Sequence, residues 1–181
     1  MRLGLIPHPD STRPSASRID VDLERSGPGR LHLRYSVTGD RLRLSPPSAS
    51  LRADELWRTT CFEAFIRPGP GVAYYEFNFA PSTQWAVYGF TDARTGMRVA
   101  DEVAPPRITV LSEPTGFQLD VLLTLDPQAF PPALSWRLGL SAVIEDIDGG
   151  KSYWALAHPA AKPDFHHPDT FALDLPALEF P

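Results

Sequence analysis

Two glutamates, Glu63 and Glu76, lie in adjacent apolar stretches, CFEAFIRP and YYEFNF, separated by Pro68-Gly69-Pro70-Gly71. Strand side chains alternate between faces, so Phe62, Ala64 and Ile66 share one side of the first stretch and Cys61, Glu63 and Phe65 the other. The second stretch divides into Tyr75, Phe77, Phe79 and Tyr74, Glu76, Asn78. Pairing the two apolar sets puts both glutamates on the opposite face, close to directly across from each other. Two carboxyl groups so placed repel unless a cation, a shared proton or a polar ligand lies between them. With Asn78, Tyr74 and, from the third strand, Gln84 or Tyr88, they form a patch of acids, amide and phenols suited to sugar hydroxyls. The plain alternative is a solvated sheet face whose glutamates pair with Arg58 or Arg67.

A second cluster follows near the end of the chain, SYWALAHPAAKPDFHHPD. It offers Trp154 and His158 on one strand face, then Lys162, Asp164, Phe165, His166 and His167 in a compact loop. Neighbouring histidines rarely both point at one metal, so a ligand-framing or structural loop is favoured over a zinc site. Asp164 can orient a histidine ring, and Phe165 can anchor the loop in the core. Trp57 and Trp154 sit at strand ends beside polar loops and are candidates for stacking on a ligand; Trp85 and Trp136 read as core. His32 reads as solvated. The Asp146–Gly150 segment reads as a hairpin turn, since it lacks the later glutamate of a calcium loop. No nucleophile elbow, phosphate-binding loop, dinucleotide fingerprint or zincin helix occurs, so no catalytic residue is assigned.

These groups need strands to hold them, and the chain supplies many. RIDVDLE and RLHLRYSV alternate around a Ser-Gly-Pro-Gly turn and form a hairpin. Three short strands follow between Trp57 and Phe90, separated by Pro68-Gly69-Pro70-Gly71 and Pro81-Ser82-Thr83, then others at 97–103, 108–111, 117–125, 134–144 and 152–158, with a closing strand around Phe171, Leu173 and Leu175. Asp126-Pro127 begins a single helical turn. Residues 41–56 form a long connection that delivers Trp57 to the central strands. The expected fold is all-β: a two-sheet antiparallel β-sandwich, jelly-roll-like. The first 17 residues read as a loose leader, and 18–181 as one domain.

The totals agree. The chain has 181 residues, 20 of them proline, with 43% hydrophobic and 22% charged content and a net charge of -5. One domain is the natural size, and the acidic balance argues against a nucleic-acid surface. No run spans a bilayer and no signal peptide is evident, so a cytoplasmic protein without a membrane partner is expected. The single Cys61 excludes an intramolecular disulfide. The two lysines, Lys151 and Lys162, flank the late cluster.

The run WRTTCFEAFIRPG…AYYEFNFAPSTQWAVYGF together with YWALAHPAAKPDFHHPDTFAL resembles bacterial DOMON-like proteins, which are related to family-nine carbohydrate-binding modules. The resemblance extends from about Ile19 onward. It implies a β-sandwich that binds a sugar or a haem. In the carbohydrate modules the matching strand reads Asp-Asp-x-Val-Glu-x-Phe; Glu63 and Phe65 match, and Thr59 and Thr60 stand in place of the aspartates. A haem reading would draft Met97 with His158 or His166 as axial ligands, and calcium is the other group the relatives use; neither is favoured.

The leading expectation is therefore a non-catalytic domain binding a small ligand, first of all a carbohydrate. Trp57 and Trp154 would stack on it, and Glu63, Glu76 and Asn78 would bond it. Tyr74, Tyr88, His158, Lys162, Asp164 and His166 would complete the site. A haem or electron-transfer module, an acid/base enzyme of glycans using Glu63, Glu76 and His158, and a partner-binding domain are the alternatives.

Overall fold

In the computed structural model, which describes residues 1–11 and 14–178, the chain is almost entirely strand. The strands are β1 (Arg2–Pro7), β2 (Ala16–Arg25), β3 (Arg30–Gly39), β4 (Cys61–Pro68), β5 (Tyr74–Phe79), β6 (Trp85–Phe90), β7 (Arg98–Val99), β8 (Arg107–Glu113), β9 (Gly116–Thr124), β10 (Trp136–Glu145), β11 (Lys151–Ala155) and β12 (Leu173–Leu175). All pairings are antiparallel, in the order β7-β6-β5-β4-β10-β11-β1-β2-β3-β9-β8, with β12 on the free part of β10. The result is one curled sheet, a half-barrel, where two separate sheets in jelly-roll order were expected. The difference lies in β1. Its first half pairs with β2 and its end with β11, so it joins two halves that would otherwise face each other unlinked.

The sequence pattern explains the curl. Ile19, Val21 and Leu23 of β2, Leu31, Leu33, Tyr35 and Val37 of β3, and Leu119, Val121 and Leu123 of β9 alternate with polar residues and are buried on one face. They meet Phe62, Ala64, Ile66, Phe77, Phe79, Leu138, Leu140 and Ala142 of the other half in one apolar core. Tyr35 and Phe62 touch across it with ring centroids 4.9 Å apart, and the Tyr35 hydroxyl donates to the Glu63 carbonyl at 3.0 Å. Burying this face provides most of the stabilisation, at roughly 25 cal/mol per Å² of apolar surface.

β4, β5, β6 and β10 carry apolar residues on both faces. That is the pattern of strands covered on both sides. Their second face packs a smaller cluster of Cys61, Phe65, Tyr74, Tyr88, Phe90, Val143, Phe165 and Phe171. Two segments cover it: 51–58, ending in a 3-10 turn at Leu56–Arg58, and 163–171. Thr60 ties the long 41–56 connection down, donating to the Arg43 carbonyl at 2.6 Å and accepting the Glu145 amide at 3.0 Å.

Several expectations change. Residues 2–7 of the expected leader form β1; its residues 12 and 13, and the last three of the chain, lie outside the described residues. The strand at 97–103 shortens to two residues, and the one at 152–158 ends at Ala155, where the chain bends at Leu156 and Ala157 ahead of Pro159 and Pro163. No helix among the described residues is long and apolar enough to cross a membrane.

Candidate functional site

The covered face of β4 and β5 holds an open cavity of about 450 Å³. Glu63 and Glu76 reach it from adjacent strands. The register pairs Glu63 with Asn78 and Glu76 with Phe65, so the two glutamates are diagonal neighbours and not directly opposed. Diagonal pairs stay within reach of long side chains, at roughly 7–8 Å between Cα atoms. Neither is a solvated surface residue: their exposures are 3% and 5%.

Each carboxyl group is held by one oxygen. Glu63 Oε2 accepts the Ser141 hydroxyl at 3.0 Å, and Glu76 Oε1 accepts the Asn78 amide at 2.7 Å. Glu63 Oε1 has no hydrogen-bond donor among the described residues, and Glu76 Oε2 is approached only by His166; both glutamates line the cavity. Burial pushes the Glu63 carboxyl up to about 8, with the charge of Glu76 adding to it and Ser141 opposing. Burial also raises Glu76, to about 6, against the Asn78 hydrogen bond and the charge of Arg94. Near neutral pH the pair therefore holds one proton, mainly on Glu63.

His166 stands over Glu76. Tyr74 Oη accepts the Arg94 amide at 3.2 Å, which leaves its own proton for His166 Nδ1 at 2.7 Å. The network thus assigns the ring proton to Nε2, which faces Glu76 Oε2 at 3.5 Å. Burial pushes the imidazole down to about 4, helped by the Arg94 charge and opposed by Asp164, so the ring is neutral at pH 7. Phe65 and Phe90 hold it edge-on, with centroids at 5.2 and 5.1 Å.

At the mouth, Arg94 pairs with Asp164 at 2.7 Å and Arg58 with Glu55 at 2.7 Å. Burial works against the Asp164 charge, yet the Arg94 hydrogen bond and the His166 amide hold its carboxyl below the usual range. Trp57, about a third exposed, rests edge-on against Tyr88 at 6.1 Å. The Tyr88 hydroxyl donates to Asp54 at 2.6 Å, and burial followed by that contact raises its phenol well above normal. Tyr153, Phe165, Met97 and Lys151 complete the wall.

Of the residues singled out in the sequence, Trp57, Glu63, Glu76 and His166 line the cavity. Tyr74, Asn78, Tyr88 and Asp164 stand directly behind the groups that do. Three do not belong to it. Trp154 pairs with Ala142 and turns into the main core, where its indole donates to Ser152 Oγ at 3.0 Å; the neighbouring Tyr153 faces the cavity instead. His158 bonds the Ile6 carbonyl at 2.9 Å and lines a separate groove with His8. Lys162 is exposed and forms no part of the wall. Arg94, Ser141, Tyr153 and Lys151 were not anticipated at the site. Only the isolation of Lys151 in a lysine-poor chain hinted at one of them.

The groups that the resemblance implies fit poorly. Both nitrogens of His166 face partners, Tyr74 and Glu76, so the ring is not offered to a haem iron opposite Met97. Asp146 Oδ1 accepts the amides of Asp148 and Gly150, both at 2.8 Å, and is used as a turn former and not as a calcium ligand. Among the described residues no group of three or more His, Cys, Asp or Glu is placed to hold a metal.

Fold and cavity together define an all-β protein whose one covered sheet face holds an open cavity. No protein-family model matches the chain, and no curated protein matches it significantly. Among solved structures it is similar to a proposed carbohydrate-binding protein from Bacteroides uniformis. The TM-score is 0.69 at 14% identity, over 94% of this chain and 83% of that one. At that identity the likeness concerns the fold.

Proposed function

We propose that this is a non-catalytic carbohydrate-binding protein of the DOMON-like kind, taking one or two sugar rings into the cavity over Glu63 and Glu76. One observation carries the reading: two buried carboxyl groups each turn an oxygen toward a cavity walled by Trp57, Tyr153 and Phe90, Glu63 Oε1 with no hydrogen-bond donor among the described residues and Glu76 Oε2 with only the long 3.5 Å approach of His166 Nε2. Sugars present hydroxyls that satisfy such oxygens and flat C–H faces that lie on aromatic rings. The volume, about 450 Å³, is within the range of small-ligand pockets. A relative of similar fold proposed to bind carbohydrate supports the same reading.

Isothermal titration of a panel of mono- and disaccharides tests it. The expected result is saturable binding to at least one sugar, weakened at least about tenfold by Trp57→Ala and by Glu76→Gln, as loss of a buried charged hydrogen bond and a stacking wall requires. A panel without any binding, or binding indifferent to both substitutions, overturns the proposal.

A further inference from the structure

The floor of the cavity has a charge problem that a neutral sugar leaves unsolved. Glu63 and Glu76 are buried neighbours that both line this space; Glu63 Oε1 has no protein donor among the described residues, and Glu76 Oε2 has only the neutral His166 Nε2 at 3.5 Å. Their fixed partners, Ser141 and Asn78, are neutral and occupy the other oxygens. His166 is neutral as well. Of the cations nearby, Arg94 is paired with Asp164 and Arg58 with Glu55, and Lys151 lies exposed at the mouth. Among the described residues no cationic side chain is therefore in contact with either carboxyl group.

On the basis of the carbohydrate reading, we propose that the ligand is an amino sugar whose ammonium group docks between Glu63 and Glu76. An ammonium has three donors, enough to reach Glu63 Oε1 and Glu76 Oε2 and keep one for a hydroxyl or a water. Its charge offsets the repulsion between the carboxylates, and the faces of Trp57, Tyr153 and Phe90 are favourable neighbours for a desolvated cation. Docking also has a proton consequence. The Glu63 carboxyl, raised by burial and by Glu76, ionises when a positive charge settles beside it, and the proton leaves to solvent. Arg94, Arg58 and Lys151 disfavour a cation at the mouth, while Asp164 and Glu55 balance the two arginines.

Calorimetry with glucosamine, glucose, N-acetylglucosamine and butylamine, each at pH 7 in two buffers of different ionisation enthalpy, separates the possibilities. The expected result is glucosamine binding at least about tenfold tighter than glucose or N-acetylglucosamine, with up to one proton released per ligand. Glu63→Gln, checked for folding by its thermal transition, should erase the preference and the proton release together. Glucose and glucosamine binding equally would overturn the amine inference and leave the sugar reading standing. Butylamine matching glucosamine would keep the ammonium site and remove the sugar from it. Binding of none of the four overturns the inference, and extending the panel to other neutral sugars then decides the parent reading alone.

Discussion

Replacing Glu63 by glutamine should make the protein more stable, and increasingly so as pH rises. The glutamine amide keeps the shape, can accept the Ser141 hydroxyl and can donate to Glu76. In the wild type the carboxyl moves from a reference value of 4.5 to about 8 in the folded chain. Between those limits the folded state holds a proton that the unfolded state has released, so stability falls with rising pH throughout the window. Each tenfold change in proton affinity is worth 1.36 kcal/mol, which gives a penalty of about 3 kcal/mol by pH 7, growing further by pH 8. Glu63→Gln removes it. For a domain of this size the transition should rise by about 6–12 °C at neutral pH. Urea unfolding at pH 4.5, 6, 7 and 8 should show the two proteins nearly equal at the lowest pH and diverging above it. A constant gap at all four values, or a variant less stable than wild type at pH 8, would refute the buried-acid argument.

His166 works in the opposite sense. Its folded value, about 4, is below the reference 6.5, so the unfolded chain binds the extra proton between those limits and stability rises with pH there. His166→Gln should flatten that acid limb by up to about 3 kcal/mol, read from the same urea series at pH 4 to 6.5. Trp154→Ala should cost about 3–5 kcal/mol through the hole left in the core, yet leave the sugar affinity of the folded protein within about twofold. Loss of binding without loss of stability would return Trp154 to the site. Thr60→Val deletes both hydroxyl bonds of Thr60 while the Arg43 amide keeps its own bond to the Glu145 carbonyl; it should cost about 1–3 kcal/mol and speed proteolysis within the 41–56 connection.

Parity along β4 and β5 was enough to choose which side chains share a face, because a half-buried strand tolerates no single-residue slip. It was not enough to see that the polar face is covered. Cover comes from Leu56, Trp57 and Phe165, which arrive from segments without strand or helix periodicity. The strand expected over 152–158 stops at Ala155, and the pairing of Ala142 with Trp154 sends the indole into the main core and away from the late loop. β1 was hidden by its surroundings of proline and serine, and its six residues are too few to display a convincing alternation. Arg94 could not be found at all from the sequence. It sits in a left-handed turn conformation, at a φ of 53°, 70 residues before its partner Asp164.

The strand that links the two halves of the sheet imposes a timetable on synthesis. β1 pairs through Ile6 with Ala155, so the nascent chain must grow by about 150 residues before that edge is satisfied. At roughly 5–20 residues per second the wait is about 7–30 s, during which β1 can lie only against β2 and offers its other edge to any extended peptide nearby. Slowing the ribosome late in the message, around the codons for β10 and β11, should therefore raise the insoluble fraction more than the same pause placed before β2.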